Sequence, residues 1–231
     1  MKIFFALLLL ALLALLIPPL LKDSKPAGQY AALPWQVEVL DSGRSRVFGV
    51  TLDQSTLGEV RAHLGDDLEL AVVAASDEPG TLEAYYESFS AGPVTGRLIV
   101  TMDATPEALH GFKQRTTKAD YMATGAARKY ALSAADRSVA DQLTVKALSF
   151  IPSANLDAGI VLERFGAPAE RLQSTPHTEH FLYPAKGLDV IVDSEGKELL
   201  QYVSPPRFDQ LRAPLSAMAR DADRPKAGTT P

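Results

Sequence analysis

Apolar residues run from Ile3 to Leu21, broken only by Pro18 and Pro19, and then give way to a polar stretch, 22–34, that contains Pro26, Gly28 and Pro34. A run of this length just meets the roughly 20 residues that a membrane-spanning helix needs, and the stretch after it reads as a tether. Beyond it the spacing turns helical. Leu57, Val60 and Leu64 recur on one helical face behind Ser55 or Thr56 as N-cap, and Ile160, Val161 and Phe165 do so behind Asn155 or Asp157. Gly65 and Gly166 suit the residue past a helix end, and Pro168 blocks continuation of the second helix. Between and after these helices the pattern predicts strands, rich in aromatic and β-branched residues and bounded by turns: 81–89, 96–103, 178–184, 187–193 and 198–203. The segment 105–143 opens with Thr105-Pro106-Glu107, an N-cap with proline in the first turn, and its pattern predicts short helices interrupted at Gly111 and Gly125. The end of the chain has no periodicity and reads as a disordered tail.

Two stretches look alike. Residues 46–65 and 146–166 each pass from a basic residue and an apolar strand, through a polar turn, into a short helix that ends on glycine. Strand pairs come after both. The expected fold is therefore α+β: an N-terminal transmembrane helix followed by two tandem strand–helix–strand–strand units, each an antiparallel sheet with a helix on one face. A single domain with two similar halves is the alternative. The boundaries on this reading are an anchor or signal segment at 1–21, a tether at 22–34, a first unit at 35–104, a helical connector at 105–143, a second unit at 144–212 and the tail at 213–231.

The run from Phe150 through Asn155-Leu156-Asp157 to Phe165-Gly166-Ala167-Pro168, with an aromatic strand and a hairpin after it, resembles the SmpA/OmlA-like domain. That family includes the small lipoprotein of the outer-membrane assembly machinery, and a similar fold occurs as a tandem pair in β-lactamase inhibitor proteins. The resemblance covers about 146–205 and, more weakly, 46–103. It implies a binding module of the cell envelope. The family's lipidated cysteine has no counterpart, because the chain contains no cysteine.

Charge narrows the partners. The formal net charge is -5; Lys2, Lys22 and Lys25 against Asp23 make the first thirty residues +2, which leaves -7 for the rest. A negative region of this kind repels phosphate backbones, so nucleic acid is not an expected partner. An N-terminal apolar segment exports the chain behind it. The expected location is the inner membrane, single-pass, with the remaining chain in the periplasm; the alternative is a soluble periplasmic protein after signal cleavage.

The sequence shows no catalytic, cofactor or metal signature. His177-Thr-Glu-His180 puts two histidines on opposite sides of a strand and lacks metalloprotease spacing; it reads as exposed loop and strand histidines. His63 and His110 read as solvated, and Asp66, Asp67, Asp189 and Asp193 as turn and cap residues. The expected catalytic, cofactor and metal residues are therefore none, and no enzyme activity is expected. Candidate partner-binding residues are Tyr85, Tyr86 and Phe89 as an aromatic anchor and Lys113, Arg115, Lys118, Arg128 and Lys129 as a basic patch on the connector. Trp35 either marks the membrane boundary or heads the first strand. The expected function is a membrane-anchored protein–protein interaction module that binds another envelope protein. The alternatives are a periplasmic lipid- or ligand-binding protein and a hydrolase of unrecognised type.

Overall fold

A computed structural model describes residues 33–75, 78–116, 118–122 and 127–222, with side chains to Leu215. The run Ile3 to Leu21 lies outside the described residues. Strands β1 (Glu38–Val39), β2 (Ser45–Val47) and β3 (Val50–Thr51) form a small antiparallel sheet. Helix α1 (Leu57–Leu64) leads into β4 (Glu69–Ala75), β5 (Thr81–Ala91) and β6 (Val94–Met102). Then come helix α2 (Pro106–Gln114), β7 (Ala119–Tyr121), β8 (Ala127–Ala131), helix α3 (Ala134–Ala140) and β9 (Val145–Pro152). Helix α4 (Ala158–Phe165), β10 (Glu170–Gln173), β11 (Thr178–Tyr183), β12 (Leu188–Asp193), β13 (Leu199–Val203) and helix α5 (Asp209–Ala222) complete the chain.

The strands from β4 onward make one ten-stranded antiparallel sheet in the order β10-β11-β12-β13-β9-β6-β5-β4-β8-β7. This corrects the expected α+β architecture. The described chain is mostly β, with two antiparallel sheets and five short helices. Among the described residues no helix is long and apolar enough to cross a membrane. The two regions expected as separate units share their sheet, because β6 pairs with β9 from Gly96↔Pro152 to Met102↔Val145. The connector is not all helical either, since β7 and β8 pair as antiparallel strands at the sheet's end. Where the pattern predicts a disordered tail from 213, the backbone continues as α5 to Ala222.

Local signals explain the helices. Thr56 accepts from the Glu59 amide at 3.3 Å while the Glu59 carboxylate accepts from the Thr56 amide at 3.0 Å, a reciprocal cap on α1. Asp157 caps α4 through the Ile160 amide at 2.8 Å. At the far ends Gly65 and Gly166 take φ of 102° and 83°, a region that favours glycine. The carbonyls of both glycines accept from tyrosines of the strands behind: Tyr86 Oη to Gly65 at 3.0 Å and Tyr183 Oη to Gly166 at 2.8 Å.

One face of the large sheet carries the main core. Val72, Leu82, Leu98, Val100, Leu148, Phe150, Phe181, Val190 and Tyr202 pack there against Phe48, Leu57 and Val161. The Tyr202 hydroxyl donates to the Pro34 carbonyl at 2.9 Å, pinning the start of the described chain to the sheet. The reverse face carries a smaller cluster of Leu182, Val203 and Phe208, against which Leu172, Leu211 and Leu215 pack.

A candidate binding groove beside the edge hairpin

The aromatic triplet does not form a surface anchor. Tyr86 is buried among apolar neighbours, and this burial pushes its phenol up to about 12. Strict alternation would send Phe89 to the other face, but a bulge between Tyr86 and Phe89 restores it to the core, where its ring meets Phe48 edge-on at 5.1 Å. Only Tyr85 stays half-exposed, and its hydroxyl donates to the Glu87 carboxylate.

The basic patch separates into different environments. Arg115 grips Asp136 with Nε at 3.0 Å and Nη2 at 2.6 Å, and that bond, followed by one from Ser133, holds the Asp136 carboxyl below the usual range. Lys118 pairs with Asp120 at 2.8 Å, and Lys129 with Glu69 at 2.7 Å. Strand alternation turns Arg128 the other way from Lys129, toward the face of the sheet that carries the main core. There its guanidinium lies 4.9 Å from the Tyr121 ring centroid and 5.6 Å from that of Tyr130. The Arg128 Nε is buried and has no hydrogen-bond partner.

Arg128 lines an open groove of about 750 Å³ between α2 and the β7–β8 hairpin. Lys113, His110 and Gln114 of α2 line it together with the tyrosines, Glu78 and Pro79. Lys113 Nζ donates to the Glu78 carbonyl at 2.8 Å, and His110 Nε2 lies 2.9 Å from Gln114 Nε2. Helix α2 presents these groups because its Thr105 cap, which accepts from the Ala108 amide at 3.3 Å, and its buried Leu109 and Phe112 fix its rotation. The groove borders β7, the last strand of the sheet, and Tyr121 and Met122 there are 71% and 38% exposed. Two cations, flat aromatic walls and an unpaired strand edge suit an extended chain bearing carboxylates.

No protein family, curated protein or solved structure matches this chain.

Elsewhere, His63 is exposed, and Trp35 packs edge-on against Phe165 at 6.4 Å ahead of β1. Neither histidine of 177–180 stands alone: His177, just before β11, pairs with Asp193 at 2.7 Å and His180 with Asp189 at 2.8 Å. His180 is only 6% exposed, which corrects its reading as a surface histidine. No group of three potential metal ligands occurs among the described residues. Sequence reasoning finds Lys113 and Arg128 but misses Tyr121 and Tyr130. The alternation Arg128-x-Tyr130, with Tyr121 paired opposite Arg128, would mark them, were 119–131 read as strands.

Proposed function

We propose that this chain is a protein-interaction module of the cell envelope, and that the groove between α2 and the β7–β8 hairpin receives an extended acidic segment of another envelope protein. The observation that carries the reading is Arg128. A guanidinium packed on two tyrosine rings in the groove wall is a preorganised cation for an arriving carboxylate. The β7 edge supplies free backbone groups for strand addition alongside. The apolar N-terminal run and the SmpA/OmlA-like pattern support the envelope as the setting. A lipid-carrier reading has no comparable support, because the apolar cavity lined by Trp35, Phe150 and Phe165 holds only about 20 Å³.

Photocrosslinking tests this. A crosslinking residue at position 121 in the full chain, expressed in its native cell, should give a discrete adduct. Arg128→Glu should abolish that adduct while leaving the melting temperature unchanged. A crosslinker at position 162, on the exposed side of α4, is the control. A charge-assisted contact of about 1.5–3 kcal/mol corresponds to roughly 10- to 100-fold in affinity. Equal adducts at 121 and 162, or an adduct at 121 that Arg128→Glu leaves intact, would overturn the reading.

A further inference from the structure

On the reverse face of the sheet, away from the groove, three polar side chains from neighbouring strands lie in one row. Ser174 follows directly on β10, His180 lies in β11 and Asp189 in β12. The registers Leu172↔His180 and Leu182↔Asp189 place all three on the face that also carries Leu182. Asp189 Oδ2 is 2.8 Å from His180 Nδ1, and His180 Nε2 is 3.0 Å from Ser174 Oγ. Asp189 and His180 are buried, at 1% and 6% exposure, while Ser174 is only half-buried at the end of the outermost strand.

This order of atoms has chemical content. A carboxylate at Nδ1 keeps the proton on that nitrogen, so Nε2 presents its lone pair to the serine hydroxyl. The next amide along the chain, Thr175 N–H, donates to no group among the described residues. In serine hydrolases the amide after the nucleophile can receive the negative charge of a tetrahedral intermediate. Asp189 Oδ1 is also buried without a partner, a cost that a purely structural row would be expected to avoid.

We propose that Ser174, His180 and Asp189 form a serine-nucleophile site that hydrolyses carboxylic esters of short acyl chains. Ser174 Oγ attacks the ester carbonyl as His180 Nε2 takes its proton. The bond to the alcohol oxygen breaks, and His180 returns the proton to that oxygen, leaving an acyl-serine. Water then loses a proton to His180 and attacks the acyl carbon, and Ser174 leaves with the proton restored. The products are a carboxylic acid and an alcohol, with no redox change. Asp189 is a positioning residue, since it touches only His180. Ser174 lies half-buried beside the outermost strand of the sheet, a setting that admits a small acyl group without a deep acyl tunnel.

The test uses the purified full chain with a fluorophosphonate probe and, separately, p-nitrophenyl acetate. Mass spectrometry of the digested adduct should place the probe on Ser174. Ser174→Ala should abolish both labelling and turnover, and Asp189→Asn should lower the turnover rate by at least 100-fold. Absence of an adduct, an adduct on another serine, or turnover that survives Ser174→Ala overturns the proposal. Should a variant not fold, the position of the wild-type adduct decides by itself.

Discussion

His177 and Asp193 show what a single pair contributes. The Asp193 carboxylate accepts from the Glu195 amide at 2.9 Å and sits 2.7 Å from His177 Nδ1, and these contacts hold it below its ordinary value. The same carboxylate raises His177 above its ordinary 6.5. A raised histidine contributes stability that is complete below its unfolded value and is lost as pH rises through the folded one. A lowered carboxyl contributes stability that is complete above its unfolded value and is lost as pH falls through the folded one. The pair therefore contributes fully between the two ordinary values, 3.8 and 6.5. Asp193→Asn should bring the NMR titration midpoint of His177 back down toward its ordinary value, with little change in melting temperature, since the pair lies at the surface. An unmoved midpoint would show that the contact does not persist in solution. Features at the residue scale are only partly readable from sequence. The caps of α1 and α4 can be narrowed to Ser55 or Thr56 and to Asn155 or Asp157, because a cap depends on three or four consecutive residues. The row Ser174–His180–Asp189 does not, because it exists only once three strands adopt one register.

The same distinction holds for elements. Helices α1 and α4 follow from their apolar spacing and terminal glycines, and both lie close to where the pattern puts them. The β7–β8 hairpin reads as helix in the sequence because Arg128 and Lys129 are good helix formers, and its strand state comes from pairing with β4, a tertiary contact. Polar β10 escapes notice for a similar reason: it gains its structure from the edge of β11. The seam between β6 and β9 rests on Gly96 at its closest approach. A Cβ there would lie 2.3 Å from the Ile151 carbonyl oxygen and 2.6 Å from the Phe150 ring. Gly96→Ala should therefore cost about 3 kcal/mol in urea unfolding, at the upper end of overpacking penalties. Gly43→Ala meets nothing within 4 Å and has only its φ of 77° against it, so about 1 kcal/mol is expected. Equal costs at both glycines would mean that the seam gives way freely.

At the scale of the whole molecule, two look-alike stretches fold as parts of one structure. Strand β9 lies between β6 and β13, so its Leu148 and Phe150 are buried by residues from both halves of the chain. Long-range polar contacts cross the same divide: Arg207 reaches Asp53 at 3.0 Å and Asp103 at 2.9 Å, and Ser45 Oγ donates to the Lys186 carbonyl at 2.6 Å. Cutting the chain before β9 would expose a full strand edge beside an apolar face, a surface that aggregates more readily than it folds. The fragment 144–222 should therefore lack the near-ultraviolet circular dichroism of packed aromatic residues. In the intact chain, loss of helix and sheet signal and loss of aromatic signal should coincide at one denaturant midpoint, as a single cooperative unit requires. Two separated transitions, or a fragment with native-like aromatic signal, would restore the independent units that the likeness of 46–65 and 146–166 predicts. The shared β6–β9 ladder argues for the single transition, because unfolding either half strips that ladder from the other.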